Sequence, residues 1–267
     1  MNAVRSELRK AFTTRLWWVL LVIQSGAVAF FAAVFAFAFA FGGTESGAVG
    51  EPGALSPAQL ALTVYTAGVS LAYVFPLAFG ALLVTSEFRH RTIETTLLAE
   101  PRRARVILAK VGAALPFAVL YGLATAAVSL GVGSASLAAA GQETMLGEPD
   151  TWKALGLTVV AMGAWLLVGV GFGCAVTNQV VVIVGLLAWT QLVEPLLRVA
   201  AGFWEAAAPV ARFLPGAAGE AIVGSSFYSA SGLASLLPSG AGLAVLLAYG
   251  GVAALIGWLT TFRRDLT

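Results

Sequence analysis

The chain has 267 residues, 59% of them hydrophobic and only 10% charged, and its mean hydropathy is +0.91. Soluble domains are nearer half apolar and a quarter charged, so composition excludes one and points to an all-α integral membrane protein. The net charge of +2 says little, but the placement of the charges says more.

The first fifteen residues, MNAVRSELRKAFTTR, carry Arg5, Arg9, Lys10 and Arg15. Val4, Leu8 and Phe12 recur every fourth residue among them. That spacing predicts a helix over 1–15 lying in the headgroup plane against membrane lipid. A plain basic flank would explain the charge but not the spacing. Trp17 and Trp18 follow, as in an interfacial aromatic belt.

A spanning helix needs about 20 apolar residues. The first candidate covers 16–41. Its second half, FAAVFAFAFAF, alternates with the period of a strand, but a lone strand cannot satisfy its backbone in lipid, so a helix is expected. Ala36-Phe37-Ala38 resembles a signal-peptide cleavage site. The apolar run is longer than the roughly 7–15 residues of a signal core, so an uncleaved span is expected. Further spans are predicted at about 59–86 with a kink at Pro76, 111–140 with Pro116 in its first turns, 153–176, 180–197 and 241–262. Residues 198–240 are apolar but interrupted by Glu205, Pro209, Arg212, Pro215 and Glu220. A mid-bilayer charge costs roughly 2.5–3.5 kcal/mol. This stretch is therefore read as an external region of short re-entrant helices, with two extra spans as the alternative.

Arg5, Arg9, Lys10, Arg15, six basic residues between 86 and 110, and Arg263 and Arg264 make twelve of the 15 Lys and Arg. Six spans with both termini in the cytoplasm place all twelve inside, as the positive-inside rule requires. The expected location is the cell (plasma or inner) membrane.

The stretch SEFRHRTIETTLLAEPRR, 86–103, concentrates charge between spans two and three. Glu87 and Arg91 stand at i, i+4 in the favourable order for a helical pair. Thr92 to Leu98 lacks Gly and Pro, and Pro101 closes the segment. A short helix parallel to the membrane is expected over 87–100, with Ile93 and Leu97 on one face and Phe88 about 140° away. Apolar side chains among charges suit either a partner-docking surface or a loop against lipid headgroups.

Other signals are sparse. Cys174 is the only cysteine, so no disulfide framework exists. His90 is the only histidine, which excludes a multi-His metal site within one chain, and it is read as part of the loop surface. Gly169-x-Gly171-x-Gly173 permits close helix approach, within one subunit or between two. Glu194, beside Pro195, is the only carboxylate within a predicted span. It suits either a functional acid, at a pathway or gate, or an interfacial helix break. Gln24, Tyr65, Tyr73, Thr190 and Gln191 are candidates for a substrate pathway, or for hydrogen bonds between helices. No Gly-Lys pair occurs, so the chain carries no P-loop. No catalytic set is visible, and no nucleic-acid partner is expected.

Four stretches together resemble the permease subunits of ATP-binding-cassette (ABC) exporters, in the type-2 superfamily. Ser6 to Lys10 through Thr13-Thr14-Arg15 and Trp17-Trp18 is similar to that family's N-terminal elbow helix. Glu87-Phe88-Arg89-His90-Arg91-Thr92-Ile93, with Glu94, Thr96-Leu97-Leu98, Pro101-Arg102-Arg103 and Lys110, is similar to its coupling helix and the start of the third span. Many members of the family carry Gly where Arg91 stands. Val193-Glu194-Pro195-Leu196 and Phe213-Leu214-Pro215-Gly216 add to the likeness. The resemblance implies a dimer of permeases, each docking a separate ATPase through 87–98, with two ATPase copies in all. ATP and Mg would sit on that partner and none on this chain. The cargo implied is a small amphipathic or hydrophobic molecule. Two other classes remain open: an ion-coupled secondary transporter, and a membrane scaffold or immunity protein without transport.

Overall fold

In lipid a backbone amide has no water to bond, so each apolar run closes its hydrogen bonds within a helix. The computed structural model describes residues 2–42, 55–204, 207–230 and 235–261, and these contain helices and no strand. Glu45, Glu51, Glu205, Phe262, Arg263 and Arg264 lie outside the described residues. Six helices among the described residues are long and apolar enough to cross a membrane.

A twelve-residue helix, α1 (Asn2–Thr13), comes first, followed by α2 (Leu16–Gly42). The second span is two helices, α3 (Pro57–Leu71) and α4 (Val74–Arg89). Ser56 and Gln59 form a capping box at the start of α3. The break falls at Ala72, four residues before Pro76, because a proline has no N–H to offer the carbonyl four residues back. The Ala72 carbonyl accepts from the Phe75 N–H instead, at 3.2 Å.

Next come α5 (Ile93–Ala99) and α6 (Arg103–Ala139), which stays helical through Pro116. The fourth span is α7 (Pro149–Ala175). The fifth combines α8 (Gln179–Ala188), a π-turn over Trp189–Val193 and α9 (Glu194–Gly202). Residues 208–230 hold three short helices, α10 (Ala208–Ala211), α11 (Pro215–Val223) and α12 (Phe227–Ala230). The last span is α13 (Ser239–Leu259).

Helix α7 is the centre of the bundle, packed by α4, α6 and α13. Its glycines make this possible. A Cβ on Gly169 would collide with the Leu77 carbonyl, and one on Gly173 with Ala81, so this face meets α4. Gly171 points the other way, against the Gly250 backbone of α13. The Gly-x-Gly-x-Gly run thus packs helices within one subunit.

Three buried clusters follow one another along the bundle. One, around Phe79, Phe117 and Tyr121, includes Ile93 and Val106. A middle one contains Tyr73, Trp165, Ile222 and Leu246. The third contains Ala32, Tyr65 and Leu137. Helices α2 and α8–α9 lie outermost, and Val22, Phe30, Val181, Val184, Leu192 and Leu196 leave them exposed on the surface.

Candidate functional sites

Among the described residues two groups of charged residues are buried in this apolar bundle, one near each end of the spans. The first lies where α1, the end of α4 and the start of α6 meet. Lys10 Nζ lies 2.5 Å from Glu7 Oε1 and 2.7 Å from Glu87 Oε1. Lys110 Nζ lies 2.8 Å from Glu7 Oε2 and 3.0 Å from Glu87 Oε2. Two carboxylates and two ammonium groups therefore alternate in a closed ring. Lys110 is 1% exposed and also donates to the Leu83 carbonyl at 3.4 Å. Lys10 donates to Thr96 Oγ1 at 3.2 Å, which joins α5 to the ring.

Burial pushes the Glu7 carboxyl up, but Lys110 and Lys10 outweigh it and hold the group below its ordinary value of 4.5. Burial likewise pushes the Lys10 ammonium down, and bonding to Glu7 and Glu87 outweighs this and raises it above 10.5. Such a ring is a fastener: breaking one member leaves an uncompensated buried charge.

The loop beneath it differs in detail from the sequence expectation. Glu87, Phe88 and Arg89 extend α4 rather than opening a loop helix. Glu87 is buried and pairs with two lysines from other helices instead of with Arg91. The reason is local: α4 stops at Arg89, and Arg91 takes a positive φ of 56°, so no helical turn joins the two. That left-handed conformation is the one Gly adopts without cost. The Thr92 N–H returns to the Glu87 carbonyl at 2.9 Å and closes the turn.

Ile93 is buried in the core rather than facing water, and it anchors α5. Leu97 and Phe88 are half-buried against the same cluster. Arg89, His90, Arg91, Thr92, Glu94 and Leu98 are exposed, Leu98 by 82%. Between α1 and α4–α5 lies a groove of about 590 Å³, bordered by Lys10, Thr13, Arg89, His90, Thr92 and Gln179.

The second group sits within the fifth span and its covering helix. Pro195 has no N–H for a normal helical turn, and the π-turn before it absorbs the mismatch. The Glu194 N–H bonds to the Trp189 carbonyl, five residues back. The Thr190 carbonyl is thereby released and accepts the Tyr73 hydroxyl at 3.0 Å. Tyr73 in turn stacks on Trp165, ring centroids 4.1 Å apart.

Glu194 is 1% exposed. Its Oε1 accepts from the Ala217 N–H at 3.1 Å. It thus caps α11, whose own cap position, Leu214, has no side-chain acceptor. Gly216 lets the carboxylate approach, since a Cβ there would meet Glu194. One turn beyond Glu194, Arg198 forms a buried ion pair with Glu220 and lies 3.9 Å over the Tyr228 ring. All nine residues of α11 are buried, against α13, α7 and α3.

The five candidates for a pathway do not converge. Gln24 donates to the Tyr121 carbonyl at 3.1 Å and to Thr125 Oγ1 at 2.5 Å, joining α2 to α6. Tyr65 donates to the Thr144 carbonyl at 2.7 Å. Tyr73 and Thr190 meet at the π-turn, and Gln191 is exposed.

Sequence reasoning did not find the ring, the Glu194 cap or the Arg198–Glu220 pair. One signal was available. Glu7 and Glu87 are acids within the basic segments, where a carboxylate close to lipid needs a partner.

No family model matches this chain, and no curated protein is similar to it at a significant level.

Proposed function

We propose that the chain is the membrane-spanning subunit of an ATP-driven exporter of the type-2 ABC superfamily. On this reading two copies form the pathway. Two copies of a separate ATPase, carrying ATP and Mg, dock on the basic end, which faces the cytoplasm together with both termini. The chain itself is non-catalytic. α1 is then the elbow helix and α5, with the turn before it, the coupling helix.

The observation that carries the reading is the build of the basic end. A short helix hangs beneath two spans with Ile93 as its anchor, and it presents Arg89, His90, Arg91, Thr92, Glu94 and Leu98 outward beside a groove. Mixed apolar and charged exposure of that kind suits a docking surface. Force applied to such a surface has a route into the bundle. The ring ties α5 through Thr96 and Lys10 to α1, α4 and α6. ATP does mechanical work here only by binding a closed ATPase pair more tightly than an open one. The exposed apolar faces of α2 and α8–α9 suit a second copy and lipid, and the cargo is a small amphipathic or hydrophobic molecule.

Reconstitution with the ATPase encoded nearest to the chain's own gene tests this. Vanadate-sensitive hydrolysis is expected to require both proteins. A variant with Arg89, Arg91 and Thr92 all changed to Ala is expected to lose ATPase binding while still folding. Unchanged binding by that variant overturns the docking assignment.

A second reading, an ion-coupled transporter, has one observation in its favour: ionisable residues buried within the fifth span. Transport stopped by an uncoupler and indifferent to ATP depletion would select it.

A further inference from the structure

The group around Glu194 does not balance. Among the described residues two carboxylates, Glu194 and Glu220, share one guanidinium, Arg198, and all three are at most 5% exposed. Arg198 bonds Glu220 through one terminal nitrogen, and its Nε has no hydrogen-bond partner. Glu194 Oε2 has no hydrogen-bond partner, and neither has Nε1 of Trp165, itself 1% exposed. The two abut α11 one turn apart, Glu194 at Gly216 and the Trp165 indole nitrogen at Gly219. A water could accept from the indole and donate to the carboxylate, which would satisfy the hydrogen bonds. It would leave the charge, and an unpaired buried carboxylate is costly in lipid.

Beside this group is an open cavity of about 430 Å³ between α4, α7, α8 and α13. Trp165, Phe172, Trp189 and Tyr249 supply aromatic walls, and Leu77 and Val182 supply aliphatic ones. Glu194 itself does not line the cavity, but residues on two sides of its frame do. Thr190, one turn before Glu194, lines it, and so does Pro215, next to the Gly216 on which Glu194 rests. A neutral apolar molecule would fill the cavity and leave the charge unmet. An anion would be repelled. Aromatic faces attract cations, and a desolvated carboxylate attracts them more strongly.

We propose that this cavity binds a hydrophobic organic cation, its apolar body among the aromatic walls and its positive charge toward Glu194 Oε2. The inference deepens the export reading by naming the cargo class, and it rests on that reading only for the claim that the bound cation is then moved.

The test is equilibrium binding to the purified full chain in lipid nanodiscs, without any ATPase, so that failure of the transport reading does not affect it. The probe is radiolabelled tetraphenylphosphonium, and its anionic isostere tetraphenylborate is the control. Saturable binding of the cation is expected, with at least about tenfold weaker binding of the anion. Glu194→Gln should weaken cation binding at least about tenfold, whereas Glu148→Gln, on an exposed loop, should not. Gly185→Leu gives a second readout that leaves the charge in place. Gly185 lines the cavity and a Cβ there meets nothing within 4 Å, so a leucine starts in open space at the cavity wall and should also reduce binding. The proposal is overturned by wild-type protein that does not bind the cation saturably, by equal binding of the anion, or by Gly185→Leu binding as wild type. It is also overturned by a folded Glu194→Gln that binds as wild type.

Discussion

At the basic end, two carboxylates meet two ammonium groups in a closed ring. Near the other end of the fifth span, among the described residues, two carboxylates share a single guanidinium and one carboxylate oxygen is left alone. Both groups are buried, yet their chemistry differs. Among the described residues the ring has no charge left over, and it joins pieces of chain 77 and 103 residues apart, as a structural fastener does. The other group leaves a carboxylate oxygen without a partner near an aromatic cavity, which is where the proposed cation would bind. Balance separates a fastener from a site.

Removing one charge from each group tests that contrast, and the largest effect is expected at the group that is already unbalanced. Arg198→Met leaves two buried carboxylates with no cation and should cost about 3–5 kcal/mol of stability, read from thermal melts in detergent. Adding Glu220→Leu should recover most of that loss, because an apolar pair replaces a buried ion pair at little cost. Failure of the double variant to recover would mean that Arg198 serves Glu194 rather than Glu220.

Lys110→Met should cost about 3 kcal/mol, somewhat less than Arg198→Met, because the half-exposed Lys10 still touches both carboxylates. An unchanged melting temperature would show that the ring is not a fastener.

Tyr73→Phe strands the Thr190 carbonyl at the π-turn and should cost about 1–3 kcal/mol, seen in the same melts.

The ring also sets a dependence on pH. Glu7 titrates lower in the folded chain, so its contribution is complete above its unfolded value of 4.5 and is lost as pH falls through the folded value. Lys10 titrates higher, so its contribution is complete below 10.5 and is lost as pH rises through the folded value. Stability from these two groups should therefore be flat between those limits, and Glu7→Gln should flatten the acid limb in melts across pH.

The smallest effect has the opposite sign. Arg91→Gly relieves a left-handed residue and should raise stability by about 1 kcal/mol, if the exposed side chain contributes nothing to folding. A loss instead would show that Arg91 holds the turn by contacts of its own.

The spans were legible in the sequence because a run of some twenty apolar residues is a local signal. The first was placed to within a residue, Leu16–Gly42 against 16–41. The third was read short: α6 begins at Arg103 instead of 111, since long basic side chains at a span's foot look like loop in a hydropathy pattern. The break in the second span was expected at Pro76 and falls at Ala72, where the carbonyl that proline cannot serve is found. The charged groups were much less legible. Spacing suggested Glu87 with Arg91, but a left-handed residue separates them, and the true partners come from distant segments that no periodicity connects. Glu194 stood out as an acid within a span. Its role as the cap of α11 was hidden, because Pro215 and Gly216 look like a turn until a carboxylate from another helix is brought to them.

The central claim is that the basic end holds a separate ATPase. Purification of the chain from its native membrane, followed by identification and quantification of every protein that comes with it, tests this most directly. The account predicts an ABC ATPase in equal amount, lost when Arg89, Arg91 and Thr92 are changed to Ala. A fully folded chain recovered in quantity with no ATPase, or with the same amount after those substitutions, would contradict it.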